Sequence, residues 1–284
     1  MVNEANGKRH ILSDAELKKL HSIELELLVE FDRICRKHSI IYSIDGGTLL
    51  GAVRHGGFIP WDDDSDVIMV RSEYEKFKEI ASQELDPERF YLQDMNNTKG
   101  YCWGYAKLRR KNSGFIRLNQ EHMPYEQGIF MDIFVCDNVP ENYIKRCMCN
   151  FISFLYRKAF WARVGSITEQ GVTRCVLKIL AGIPEDKLKN SYSNYIKHRN
   201  RKKSKWVKCL TFPACNRTYG YKREWYEDTE DIIFENVILK GSRKKEEYLR
   251  FLYGDYMTLP PIEKRKVHPV SRIEFPEREE KNDE

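Results

Sequence analysis

The residues best suited to chemistry stand together at Asp62, Asp63, Asp64 and Asp66, inside the stretch IPWDDDSDVIMV. Adjacent carboxylates repel one another, and burying an uncompensated one costs several kcal/mol or raises its pKa. The apolar run that follows, VIMV, reads as a buried strand. Alternate side chains of a strand share a face, so Asp64 and Asp66 point the same way and Ser65 points opposite. Such a pair clamps a hard divalent ion, Mg²⁺ with Mn²⁺ as its substitute, and the ion removes the repulsion. Asp62 and Asp63 are left to shape the turn. Asp62, Asp64, Asp66 and Glu73 also fit ligand positions of an EF-hand loop, but Val67 stands where that loop needs glycine for its sharp turn.

A carboxylate pair needs a third ligand and a phosphate cradle to act on a nucleotide. Upstream, GGTLLG places Gly46 and Gly47 in a turn after the β-rich run Ile40 to Asp45, where backbone N–H groups can approach a phosphate. Downstream, GIFMDIFVCDNVP carries Asp132 inside an apolar strand, where a carboxylate is costly without a partner. A glycine turn, a short helix and a D-x-D strand, completed by a carboxylate from a neighbouring strand, make the layout of the nucleotidyltransferase fold. Asp132 is the natural third carboxylate and Asp137 the second choice.

The elements that must position these groups follow from periodicity. Ser13 and Glu16 form a capping box ahead of a helical stripe of Leu20, Ile23, Leu27, Phe31 and Ile34, so residues 14–37 read as an amphipathic helix packed on the core. SEYEKFKEIASQEL is a second helix with Ser72 as its N-cap, and FYLQDM, WGYAKLRR and GFIRLN are short strands. NYIKRCMCNFISFLYRKAFWARVG, TRCVLKILAG and EDKLKNSYSNYIKHRNRKK read as three helices. KREWYEDTEDIIFENVILKG returns to strand character, and SRKKEEYLRFLYGDY is a helix ending near Gly254. The fold class is α/β of the α+β kind: a nucleotidyltransferase-type mixed sheet flanked by helices. Residues 1–140 form the catalytic core, 141–224 a basic helical insert, and 225–284 a segment that rejoins the core.

The composition, 41% hydrophobic and 32% charged, suits a globular chain with a sizeable core. No apolar run reaches the length of a spanning helix, and the N-terminus has no secretory h-region. The eight cysteines include no CxxC pair, which argues against zinc. Net charge is +5, yet residues 141–210 hold 16 Lys/Arg against four Asp/Glu, so the rest of the chain is net negative. An excess of this size makes a face for phosphates, nucleic acid or an anionic membrane. FISFLYRKAFWARV alternates basic and bulky residues at helical period and could lie on lipid through Arg157, Lys158 and Arg163.

DGGTLLGAVRHGGFIPWDDDSDVIMVRSEYEKF closely resembles the signature of the LicD family, which includes the fukutin-related transferases. The resemblance continues in YAKLRRKNSGFI, GIFMDIFVCDNVP and FENVILKGSRKKEEYLRFLYGDYMTLPP, covering residues 20–140 and 225–262. Ser65 departs from the family, which has an apolar residue there. The resemblance implies a phosphotransferase that moves phosphocholine or a related polyol phosphate from a CDP-activated alcohol, such as CDP-choline, onto a glycan hydroxyl. CMP leaves. It implies Mg²⁺ held by Asp64, Asp66 and Asp132, with Asp132 also able to take the acceptor proton. Gly46, Gly47 and Thr48 would cradle donor phosphate, and Arg54, His55, Lys107 and Arg109 would meet its charge. Asp255, in the family motif YGDY, either touches donor or acceptor or stops the helix, and Trp61 either walls the site or packs as a core tryptophan. The acceptor would be a cell-surface glycan precursor, lipid-linked, reached from the cytoplasm at the inner membrane face. A choline head group calls for an aromatic cage, but 16 Tyr, 14 Phe and 5 Trp are too many to locate it. Two other functions compete: a nucleotidyltransferase releasing pyrophosphate, and a non-enzymatic nucleic-acid binder, which leaves the acidic cluster unexplained.

Overall fold

A computed structural model describes residues 9–101, 103–213, 218–265 and 267–277. The first helix, α1 (Asp14–Lys37), has the boundaries the periodicity predicts. Ser13 and Glu16 close the capping box, Asp14 and Glu16 face the positive end of the helix dipole, and Arg36 and Lys37 face the negative end. Leu20, Leu27, Phe31 and Ile34 are fully buried along its inner face.

The sheet is built around β6 (Phe130–Val139), all ten residues of which are buried. A strand covered on both faces needs a near-continuous apolar run rather than alternation, which FMDIFV supplies except at Asp132. β2 (Asp66–Val70) runs parallel to β6, with Asp66 opposite Asp132. β1 (Ser43–Ile44) lies antiparallel on β2. On the far edge of β6 come β4 (Ala106–Arg110) and then β3 (Phe90–Gln93), both antiparallel. The path is therefore β1-β2-β6-β4-β3. α2 (Gly46–His55) connects β1 to β2, and α3 (Arg71–Glu84) leaves β2 directly. Ser72 does not cap α3: the helix begins at Arg71, with Val70 at the N-cap. β5 (Gly114–Arg117) stands outside this sheet and pairs with a C-terminal strand, described below.

Three helices follow: α4 (Tyr143–Thr168), α5 (Gly171–Ala181) and α6 (Glu185–Arg199). The chain then returns to the sheet within the stretch grouped with the insert by charge. β7 (Trp206–Lys208) pairs with Asp137–Val139 of β6, and β8 (Tyr221–Lys222) pairs with β7. After the short α7 (Glu224–Glu227), β9 (Thr229–Phe234) and β10 (Val237–Ser242) form a hairpin. α8 (Lys245–Tyr253) follows, and β11 (Val270–Glu274) closes on β5. One core cluster joins α1, α2, β2, β6, α7 and α8, so the C-terminal segment packs against the same interior as the acidic strand.

Candidate active site

The start of β2 and the start of α2 meet at one place. Gly46 and Gly47 are not a turn before a helix but the first turn of α2 itself, with Asp45 at the N-cap. Sterics favour glycine at both positions. Gly46 has φ +50°, and a Cβ on it would come within 3.3 Å of Asp66 Oδ2; one on Gly47 would stand 2.5 Å from Asp62 Oδ2. The glycines let two carboxylates close on a helix N-terminus, where the dipole favours negative charge. Thr48 Oγ1 accepts the Asp66 backbone N–H at 2.8 Å and fixes the start of β2.

The carboxylates are held from several elements. His21 of α1 stacks on Phe58 and its Nε2 lies 2.8 Å from the Asp62 carbonyl oxygen. Asp63 is buried and accepts the His268 backbone N–H at 2.7 Å, with His268 Nδ1 3.1 Å from its other oxygen. The same Nδ1 is 3.5 Å from Asp64. The Asp132 backbone N–H donates to the Ser65 carbonyl at 2.9 Å, and its carboxylate is paired with buried Lys107. Lys107 also sits 3.4 Å above the Phe130 ring. It is therefore committed to Asp132 rather than free to meet a donor.

The electrostatics are those of a cluster short of cations. Burial, then the charges of Asp64 and Asp63, push the Asp62 carboxyl up to about 8. Burial, then Asp64 and Asp132, raise Asp66 well above its ordinary value. Burial also raises Asp64, with His268 and Arg117 of β5 holding it down in part. Burial lowers Lys107 to about 7 against the pull of Asp132. Among the described residues, the carboxylate oxygens Asp66 Oδ1 and Glu24 Oε2 are buried without a hydrogen-bond partner. Glu24 comes from α1, and its carboxyl is raised by burial and by Asp64, Asp62, Asp63 and Asp132. Orphaned carboxylate oxygens beside mutually repelling neighbours fit a hard divalent cation. Among the described residues, Asp63, Asp64 and His268 bring ligand atoms within 4.8 Å of one another.

Beside Asp66 opens a cavity of about 240 Å³. Asp45, Gly46, Gly47 and Asp66 form its acidic end, and Tyr221, Tyr226, Tyr248, Tyr253, Phe134 and Phe212 its aromatic walls. Asp45 is pushed up to about 6 by burial and accepts the Tyr248 hydroxyl. Lys208 of β7 also lines the cavity, with its ammonium 2.6 Å from Asn150 Oδ1.

Other expected residues lie elsewhere. Arg109 is buried against Gln93 Oε1 (2.7 Å) and the Gly128 carbonyl (2.6 Å), because both faces of β4 are covered. Arg54 donates to the Tyr256 carbonyl at 2.8 Å, and His55 stands edge-on to Trp61. Trp61 does not wall the cavity but lies under the Arg265 guanidinium, 3.9 Å away. Asp255 accepts from Thr258, and Tyr253 is the YGDY residue that lines the cavity. Asp137 is not a spare ligand: Arg71 grips it at 2.8 and 2.9 Å and Asn200 donates at 2.6 Å. Sequence reasoning missed Glu24, Arg117, Lys208 and His268. Glu24 carried a signal, since it sits on the buried stripe between Leu20 and Leu27; a lysine between Val207 and Cys209 carried another. His268 carried none.

Residues 39–161, which hold the glycine pair, the acidic cluster and β6, match the family model described as LicD/FKTN/FKRP, nucleotidyltransferase domain. An uncharacterised protein of Rickettsia prowazekii is 29% identical over 138 residues, 46% of this chain and 48% of its own length. The lipopolysaccharide cholinephosphotransferase LicD of Haemophilus influenzae is 30% identical over 270 residues, covering 89% of this chain and 96% of that protein. With a likeness running through nearly the whole of both proteins, the chain belongs to the LicD family.

Proposed function

We propose that the protein is a metal-dependent transferase that moves phosphocholine, or a related alcohol phosphate, from a CDP-activated donor to a hydroxyl of a lipopolysaccharide-type glycan, releasing CMP. The observation that carries this reading is the junction at Asp66 of a cation-poor acidic cluster and an aromatic cavity. The likeness to a lipopolysaccharide cholinephosphotransferase supports the phosphocholine and the glycan.

In this reading Asp64, Asp66 and Asp132 hold Mg²⁺ or Mn²⁺, which supplies Lewis-acid polarisation of the donor diphosphate when bound. Lys107 fixes the Asp132 carboxylate, and Thr48 fixes Asp66. The N-terminus of α2 and Lys208 receive phosphoryl oxygens. The tyrosine and phenylalanine rings surround the quaternary ammonium, which binds over π faces. The acceptor oxygen attacks phosphorus, the bond to the CMP oxygen breaks, and the acceptor proton passes to Asp132. The reaction takes place on the cytoplasmic side, at the inner face of the membrane.

A donor screen tests the proposal. The full chain is incubated with Mg²⁺ and CDP-choline, CDP-ethanolamine, CDP-glycerol or CDP-ribitol, with and without glycan acceptor, and CMP is measured. CMP from CDP-choline in step with phosphocholine on the acceptor supports it. Pyrophosphate from CTP, or no CMP from any donor, overturns it.

A further inference from the structure

Helices α4 and α5 bury Phe160, Val164 and Leu177 but leave a further set of apolar residues outside the core. On α4, Ile144, Met148, Phe151 and Leu155 recur on one side at helical spacing, and all are exposed, Ile144 to 70%. On α5, Val172 is 82% and Ile179 76% exposed, Val176 lies between them, and Leu177 alone of the helix is buried. An amphipathic helix normally turns such a stripe inward. The two helices pack along each other, with Gly165 of α4 against Trp161 and Leu177, so the exposed residues belong to one hairpin. Large apolar residues exposed in number on one hairpin mark a contact site.

Charge selects the partner. α4 and α5 carry seven Lys/Arg and no Asp/Glu. Arg146 is consumed by the Thr218, Pro140 and Glu141 carbonyls, and Arg163 by Glu185. Lys145 and Lys178 are exposed beside the apolar residues, and Lys158 and Arg157 are half-exposed. A second copy of the chain would bring this face against its own positive charge. An anionic bilayer would take the apolar residues into its interface and neutralise the lysines. No helix among the described residues is long and apolar enough to cross a membrane, so the contact is interfacial.

We propose that the α4–α5 hairpin is a docking surface for an anionic phospholipid bilayer. The surface leads somewhere. A second cavity, lined by Phe151, Phe154 and Arg157 of α4, shares Lys208, Phe212 and Pro213 with the cavity at Asp66. A chain docked through α4 holds that opening toward the lipid surface. This orientation rests on the proposed reaction; the docking does not.

The test is co-sedimentation of the full chain with vesicles of phosphatidylcholine alone or with a quarter of phosphatidylglycerol. The expected result is binding to the anionic vesicles that weakens with salt. Val172→Asp with Ile179→Asp abolishes it, and Lys145→Gln with Lys178→Gln weakens it about fivefold per lysine. Thermal melts check that each variant is folded, which surface positions allow. Equal partition onto neutral and anionic vesicles, or binding unchanged in both variants, overturns the proposal. So does a concentration-dependent dimer, lost in the Val172/Ile179 variant, without vesicle binding. The readout is binding, so a failure of the transferase reading leaves it intact.

Discussion

Asp62 offers the sharpest physical test of the acidic cluster. Its carboxyl is pushed from 3.8 to about 8 by burial and by Asp64 and Asp63. A carboxyl raised on folding keeps its proton in the native state while the unfolded chain has lost it. Stability is then fully present below the unfolded pKa and falls as pH rises toward the folded one, by at most about 1.4 kcal/mol per unit. Between pH 5 and 7 this amounts to about 3 kcal/mol for Asp62. Asparagine cannot titrate, so Asp62→Asn should gain on the wild type by that amount across the window. For a chain of this size the gap in Tm widens by about 5 °C. Taking the difference between the two proteins cancels His21 and His55, whose lowered values act in the opposite sense. The assay is thermal melting followed by circular dichroism in EDTA at pH 5, 6 and 7. Millimolar Mg²⁺ or Mn²⁺ should raise the wild-type Tm more at pH 7 than at pH 5. Parallel curves for the two proteins in EDTA would refute the electrostatic account.

Three further substitutions probe separate parts of the site. Asp137→Asn breaks the buried pair with Arg71 and should cost about 3–5 kcal/mol in chemical denaturation, with CMP release per folded molecule unchanged; lost catalysis in a folded variant would return Asp137 to the site. Gly47→Ala should cut turnover at least tenfold because its Cβ would stand 2.5 Å from Asp62 Oδ2, although alanine favours a helix over glycine by up to about 1 kcal/mol; a more stable, fully active variant would show the glycine to be dispensable. Ser65→Ala should leave stability unchanged or raise it by about 1 kcal/mol, since the Ser65 hydroxyl is buried without a partner; a loss above that in urea titration would mean the hydroxyl is satisfied.

Local signals in the chain were readable where the structure uses them locally. The capping box and stripe set both ends of α1, and the polarity of Asp132 within an apolar strand marked it before its pairing with Asp66 could be known. The glycine pair expected in a turn is the first turn of α2, and the two carboxylates that close on it come from another segment, a contact no local pattern encodes. Arg109 was expected to meet donor charge, but both faces of β4 are covered and its guanidinium is spent on Gln93 and Gly128. The aromatic walls come from β6, β8, α7, α8 and the loop at Phe212, so composition alone could not single them out. His268 reaches Asp63 across about two hundred residues of chain. Ser65, the departure from the family pattern, is fully buried; nothing in the structure explains the hydroxyl.

In the proposed function the cluster at Asp66 drives transfer from a CDP-alcohol. The most direct measurement follows CMP and acceptor-bound phosphocholine together from CDP-choline, for the wild type and a folded Asp66→Asn variant, with and without EDTA. Equal amounts of the two products are expected from the wild type, with loss in EDTA and recovery in Mg²⁺ or Mn²⁺, and neither product from Asp66→Asn. Undiminished transfer by Asp66→Asn, or in EDTA, would contradict the proposed function.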